Sequence, residues 1–279
     1  MKQCPAGLCS RGAMHGKDMK INITEDTDLR KIAESGQCFR AYETGSAFIF
    51  IAKDKKIRLT QQKDTLSADC TESDWNGFWK RYFDLDRDYA SIRKKAAGDP
   101  FMSAAAEAGK GIRILKQDPW EMLISFIISQ RKSIPAIRTS IERLCEAFGE
   151  DMGDYHAFPS PKALYEAEPA VLQGCGLGYR LEYIRDAASK VYLGELDLDA
   201  LFKMNDEDLQ NTLKSVKGVG DKVANCVMLF AYGRTAAVPV DTWIKKIIEE
   251  DYNGKNPFTA YKDDAGIMQQ YAFFYKRTL

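Results

Sequence analysis

The sequence predicts an α+β protein, in which an N-terminal domain containing antiparallel β structure is followed by an all-α domain. Three observations predict it. The short β-prone runs "AFIFIA" (47–52) and "KIRLT" (56–60) flank the charged turn "KDKK", and the whole stretch from Met19 to about Asp69 reads as strand-like. From Ser73 the period changes. Trp75, Phe78, Trp79, Tyr82 and Phe83 recur at helical spacing and read as one core stripe. Beyond residue 100 every periodic segment is helical. The expected organisation is a flexible leader over 1–19, a mixed α/β domain over 20–100 and a helical domain over 101–279.

The helical elements follow from local chemistry. In "DPWEMLISFIISQ" Asp118 is the expected N-cap and Pro119 the first helical residue. The rest of that helix is apolar almost all round, which predicts a buried, central element. "IPAIRTSIERLCEAFG" is amphipathic and stops at Gly149. "PSPKALYEAE" and "EPAVLQGCGLGY" read as a short helix pair with tight turns. "RLEYIRDAASKVYLG" and "NDEDLQNTLKSV" follow.

Composition narrows the function classes. Lys plus Arg and Asp plus Glu both number 40 in 279 residues, which argues against an indiscriminate polyanion binder. The seven cysteines are odd in number and scattered from Cys4 to Cys226, so free thiols in a reducing, cytoplasmic setting are expected. Cys4 and Cys9 form at most half a metal site, because no second half with zinc spacing follows. No apolar run reaches membrane-spanning length, and the N-terminus lacks a signal-peptide core.

The chemistry concentrates in "LKSVKGVGDKVANCVMLFAYG" (213–233), which reads as helix, hairpin, helix, the whole unit spanning about 206–233. Gly218 and Gly220 permit left-handed backbone in a tight turn. The second helix is expected to start near Asp221, with free N–H groups able to hold a phosphate. The backbone carbonyls of Lys214, Val216 and Val219 could hold a monovalent or divalent cation sharing that phosphate. Lys222 lies in the first turn, where the macrodipole disfavours a cation. Three roles fit it: a solvated side chain, a phosphate contact, or an amine nucleophile activated by burial and nearby positive charge. Asp241, after "AVPV", is the expected N-cap of "TWIKKIIEE". If its helix packs beside that of Lys222, the two groups bracket a centre that develops positive charge.

At these residues the chain resembles a known family. "VKGVGDKVANCVMLFAYGRTAAVPVD" (216–241) is similar to the helix-hairpin-helix, Gly/Pro-rich, Asp signature of DNA glycosylases, and the hairpin lysine resembles that of the bifunctional members. "SGQCFR" (35–40), "RILKQDPWEMLISFIISQ" (113–130) and "CGLGYRLEYI" (175–184) narrow the resemblance to the 8-oxoguanine DNA glycosylase/lyase family. It extends from about residue 28 to "AGIMQQYAFFY" (265–275). The resemblance implies an enzyme on duplex DNA containing 8-oxoguanine; a monomer is expected, because one cleft suffices and no oligomer surface is visible in the sequence. The base is flipped out, Lys222 attacks the sugar, Asp241 stabilises the transition state, and a Schiff base leads to strand cleavage by β-elimination. It also implies that the Gly36 carbonyl accepts from N7–H of the lesion. Cys226 and Phe273 would lie against the two faces of the base, and Gln269 would bond its Watson–Crick edge. Read as isolated residues, Cys226 and Phe273 suggest core packing and Gly36 a turn glycine.

For DNA, the resemblance implies that Tyr179 wedges into the stack and that Arg180 contacts the orphaned base. Gln130, Arg131, Lys132, Gly218, Gly220 and Trp243 would lie along the strand. No cofactor is required, and nothing after Cys226 supplies a four-cysteine iron–sulfur loop. The chain departs from the family where "SQRKSIPAI" replaces an asparagine run, where Ala136 stands for an arginine expected to read the opposite cytosine, and where Trp243 stands for a frequent histidine. Relaxed opposite-base selectivity is therefore expected.

Overall fold

Alternating apolar residues build the first layer of the computed structural model, which describes residues 19–23 and 26–279. The strands β1 (Met19–Asn22), β2 (Ala41–Thr44), β3 (Ala47–Ala52), β4 (Lys55–Gln62) and β5 (Thr65–Ala68) form one sheet in the order β1-β5-β4-β3-β2. All pairings are antiparallel. The expected leader, with Cys4 and Cys9, lies outside the described residues except for Met19, which opens β1. Across the β3–β4 ladder Phe48 faces Leu59 and Phe50 faces Ile57, which puts these side chains on one face of the sheet. Ile49 and Ile51, on the other face, are buried as well.

The strand-like reading of 19–69 needs one correction. Helix α1 (Leu29–Glu34) interrupts it, capped by Asp28, whose side chain accepts from Lys31 N. Six residues are too few to be helical alone. Burial of Leu29 and Ile32 in the sheet's core stabilises this helix, and that contribution is tertiary. Trp75, Trp79 and Phe83 close the same core. Their helical spacing is real, but the segment between α2 (Glu72–Asp74) and α3 (Lys80–Tyr82) is a π-helical turn, Trp75–Trp79.

The remaining chain is helical: α4 (Tyr89–Lys94), α5 (Pro100–Ala108), α6 (Pro119–Ser129), α7 (Ile134–Phe148), α8 (Pro161–Tyr165), α9 (Pro169–Gly174), α10 (Leu181–Tyr192), α11 (Asp206–Lys214), α12 (Asp221–Phe230), α13 (Thr242–Lys246) and α14 (Ala265–Thr278). As expected, α6 is the central helix. Asp118 accepts from Glu121 N, Pro119 opens the helix, and every residue from Trp120 to Ile128 is buried.

The sheet and α6 share buried polar contacts. Glu121 on α6 accepts from Lys53 N at 2.7 Å and lies 3.7 Å from the Arg40 guanidinium, with both charged side chains less than a tenth exposed. Arg40 also donates to the carbonyls of Lys53 and His156. Glu121→Ala leaves a buried guanidinium without its carboxylate and the Lys53 N–H without its acceptor. It is expected to lower the unfolding free energy by ~3–5 kcal/mol in urea titration, whereas an exposed pair such as Lys162–Glu166 contributes below ~1 kcal/mol.

Candidate active site

The hairpin between α11 and α12 has the expected form, with one difference. Gly218 has φ +81°, and a Cβ there would meet the Tyr183 ring at 2.2 Å, so only glycine fits. Gly220 is not left-handed: its φ is −101°, and it serves as the extended N-cap of α12. Lys217 N is taken by Asp186 at 2.8 Å and Val219 N by Val216 O at 3.0 Å. The N–H groups of Gly220, Asp221 and Lys222 find no acceptor among the described residues and point out of the helix start. Among the described residues no three His, Cys, Asp or Glu side chains are grouped to hold a metal, so a cation at the hairpin would rest on main-chain oxygens.

One turn into α12 the side chains reach a narrow cleft. Gly36, Lys222, Cys226, Asp241, Gln269 and Phe273 all line it, so six residues read from sequence converge on one place. Asp241 caps α13 as expected, accepting from Trp243 N at 3.0 Å and Ile244 N at 2.9 Å. Asn225, on α12, donates to Val238 O at 3.0 Å and so ties the "AVPV" segment to the helix that carries Lys222.

Sequence reasoning missed the immediate neighbours of the amine. Lys222 Nζ lies 3.1 Å from Ser129 Oγ and 5.2 Å from the Phe126 ring centroid. Both residues come from the last turns of α6, where an apolar run hides which side chains face the cleft. Cys226 is buried, and burial pushes its thiol up to about 11; the Lys222 charge pulls the other way. A neutral, poorly reactive sulfur at the wall of the cleft follows. Gln269 is 3% exposed, and its Oε1 has no donor among the described residues. The Arg277 guanidinium lies 5.0 Å from the Phe273 ring centroid, on the Gly36 side of α14.

The cleft holds about 50 Å³, far below the roughly 300 Å³ or more of formed ligand pockets. Phe273, half-buried, is among its lining residues. A larger cleft of about 930 Å³ opens at the far end of α6, beside Asp118 and Asp197, but Lys222 and its neighbours do not line it.

The outer residues divide. Tyr179 is 51% exposed and rests edge-on against Tyr183. Arg180 is not free to meet an orphaned base: it is 6% exposed and donates to the carbonyls of Gln130 and Leu177. Lys132 Nζ is likewise engaged, at 2.6 Å from both Ser140 Oγ and Gly176 O. Burial, Arg180 and Arg143 depress its ammonium pKa. Arg131 is exposed, with φ +51°. Ala136 sits exposed on α7, and Trp243, 38% exposed, lies under Lys246.

Comparison with known proteins agrees with this arrangement. Residues 20–123 match the 8-oxoguanine DNA glycosylase N-terminal domain, and residues 124–263 match the HhH-GPD superfamily of base excision DNA repair proteins. The chain is 38% identical to the N-glycosylase/DNA lyase of Saccharomyces cerevisiae over 80% of its own length and 68% of that protein. It is 31% identical to a "Probable N-glycosylase/DNA lyase" of Methanothermobacter thermautotrophicus, over 62% of each chain. The apo crystal structure of Clostridium acetobutylicum 8-oxoguanine glycosylase/lyase superposes with a TM-score of 0.87 at 34% identity, covering 94% of this chain and 97% of that one. With the cleft, the hairpin and both matched domains in register, the chain belongs to the 8-oxoguanine DNA glycosylase/lyase family of the helix-hairpin-helix base excision repair superfamily.

Proposed function

We propose that this protein excises 8-oxoguanine from duplex DNA and then cleaves the strand at the abasic site. One observation carries the reading: an amine and a carboxylate open onto the same cleft as a buried glutamine oxygen that lacks a donor. A guanine-type base turned out of the stack brings N1–H and N2–H donors to that oxygen. Its N7–H, present in 8-oxoguanine and absent in guanine, donates to the Gly36 carbonyl. Cys226 and Phe273 cover the two faces.

The Lys222 amine adds to C1′ as the C1′–N9 bond breaks, and the bonding pair leaves with the base, which takes up a proton. Asp241 opposes the positive charge that grows on the sugar. The aminal loses its ammonium proton, the sugar ring opens to a Schiff base, and loss of a C2′ proton expels the 3′ phosphate by β-elimination. The unpaired N–H groups at the start of α12 hold a backbone phosphate beside the lesion, and a cation on the carbonyls of Lys214, Val216 and Val219 belongs to the same proposal. Opposite the lesion, Ala136 offers no donor and Arg180 is committed to main-chain oxygens, which favours loose reading of the partner base.

With 8-oxoguanine duplex and borohydride, the parent protein is expected to give a covalent adduct and Lys222→Gln none; an undiminished adduct in the variant refutes the nucleophile. Asp241→Asn is expected to slow excision by ~10²–10³ while leaving DNA binding intact. Excision rates opposite the four bases are expected to agree within about tenfold, equivalent to ~1.4 kcal/mol. A hundredfold preference for cytosine would contradict the relaxed selectivity.

A further inference from the structure

The loop that carries Gly36 has its main-chain oxygens taken one by one. Ile32 O accepts from Ser35 Oγ at 2.7 Å, Ala33 O from Arg138 Nη2 at 2.9 Å, and Glu34 O from Arg277 Nη1 at 3.4 Å. Ser35 O accepts from Gln270 Nε2 at 2.6 Å, and Gln37 O from Gln117 Nε2 at 2.8 Å. Between these two, Gly36 O accepts from no donor among the described residues. Both glutamines are buried, at 3% and 8% exposure. Only the amide nitrogen of a glutamine can donate, so both side chains are fixed in orientation as well as in place.

Gly36 has φ +81°, where glycine alone is unstrained and where a peptide plane turns over cheaply. Turning over the Gly36–Gln37 peptide would withdraw the carbonyl from the cleft and present the Gln37 N–H instead. An N–H there pairs with the N7 lone pair of undamaged guanine, so the sense of the discrimination would reverse. Whatever holds the neighbouring peptides fixed therefore protects specificity.

We propose that Gln270 and Gln117 are positioning residues that clamp the two peptide units beside Gly36 and so hold its carbonyl facing the flipped base. This rests on the reading above that the Gly36 carbonyl recognises N7–H. Gln270 follows Gln269 directly, so one helix turn of α14 delivers both the group that reads the base edge and the group that steadies the reader of N7.

Abasic-site cleavage needs Lys222 but no base, and it separates positioning from general damage. In Gln270→Met, which keeps volume and loses the donor, the ratio of 8-oxoguanine excision to abasic-site cleavage is expected to fall roughly tenfold, the scale of one lost hydrogen bond. Gln117→Met, on the other side of the loop, is expected to do the same. Gln270→Glu, which sets an acceptor against Ser35 O, is expected to lower the ratio further. An unchanged ratio in both Met variants, or parallel loss of both activities, overturns the clamp. A parent protein that leaves 8-oxoguanine untouched overturns the functional reading instead.

Discussion

The side chain of Gln37 is the constraint on which the site depends. It is fully buried and behaves as an extra peptide unit. Its Nε2 donates to Arg113 O at 2.8 Å, and its Oε1 accepts from Leu115 N at 2.7 Å. Removing it would take the acceptor from the buried Leu115 N–H and a donor from Arg113 O, and a buried group left unpaired costs ~1–3 kcal/mol. The extended segment it binds continues to Gln117, whose N–H donates to Phe230 O at the end of α12 at 2.8 Å. One hydrogen-bonded frame thus runs from the Gly36 loop to the helix that carries Lys222. The Gly36 loop, the segment at 113–117 and α12 are joined by hydrogen bonds to main-chain groups, which are directional, as well as by apolar contact, which is not.

A lysine in the first turn of a helix is destabilised by roughly 0.3–1 kcal/mol through the macrodipole. The Phe126 ring beneath Lys222 returns a similar amount, about 0.5–2 kcal/mol for a cation over an aromatic face. The two roughly cancel, so the amine can be held at the cleft without a carboxylate partner that would tie it up as an ion pair. Ser129 gives it a direction, and the Phe126 ring, stacked on Phe230 at 5.5 Å, gives it a floor.

Much of this was legible in the sequence because it rests on local rules. The caps at Asp118 and Asp241, the buried α6 and the glycine hairpin each follow from a few adjacent residues. The six cleft residues came from motif resemblance, and the structure brings them together. Local reasoning failed where distant contacts decide the outcome. Helix α1 exists because the sheet buries Leu29 and Ile32. Gly220 is extended because it caps a helix. Arg180 turns inward because the carbonyl of Gln130, fifty residues earlier in the chain, accepts from it. Ser129 and Gln270 lie inside matched segments, but neither stands out there, since their contacts depend on partners that no local pattern names.

The hydrogen bond from Gln270 to Ser35 joins positions 235 residues apart. Contacts of such span form late, because the entropy of closing the loop must be overcome before they stabilise anything. During synthesis α12 leaves the ribosome before α14, so Lys222 emerges ahead of Gln269, Gln270 and Phe273. Until α14 has docked, Gln269, Gln270 and Phe273 cannot line the cleft and Ser35 O lacks its glutamine donor. A chain cut before α14 would therefore keep the amine of Lys222 while losing three of the side chains that frame it.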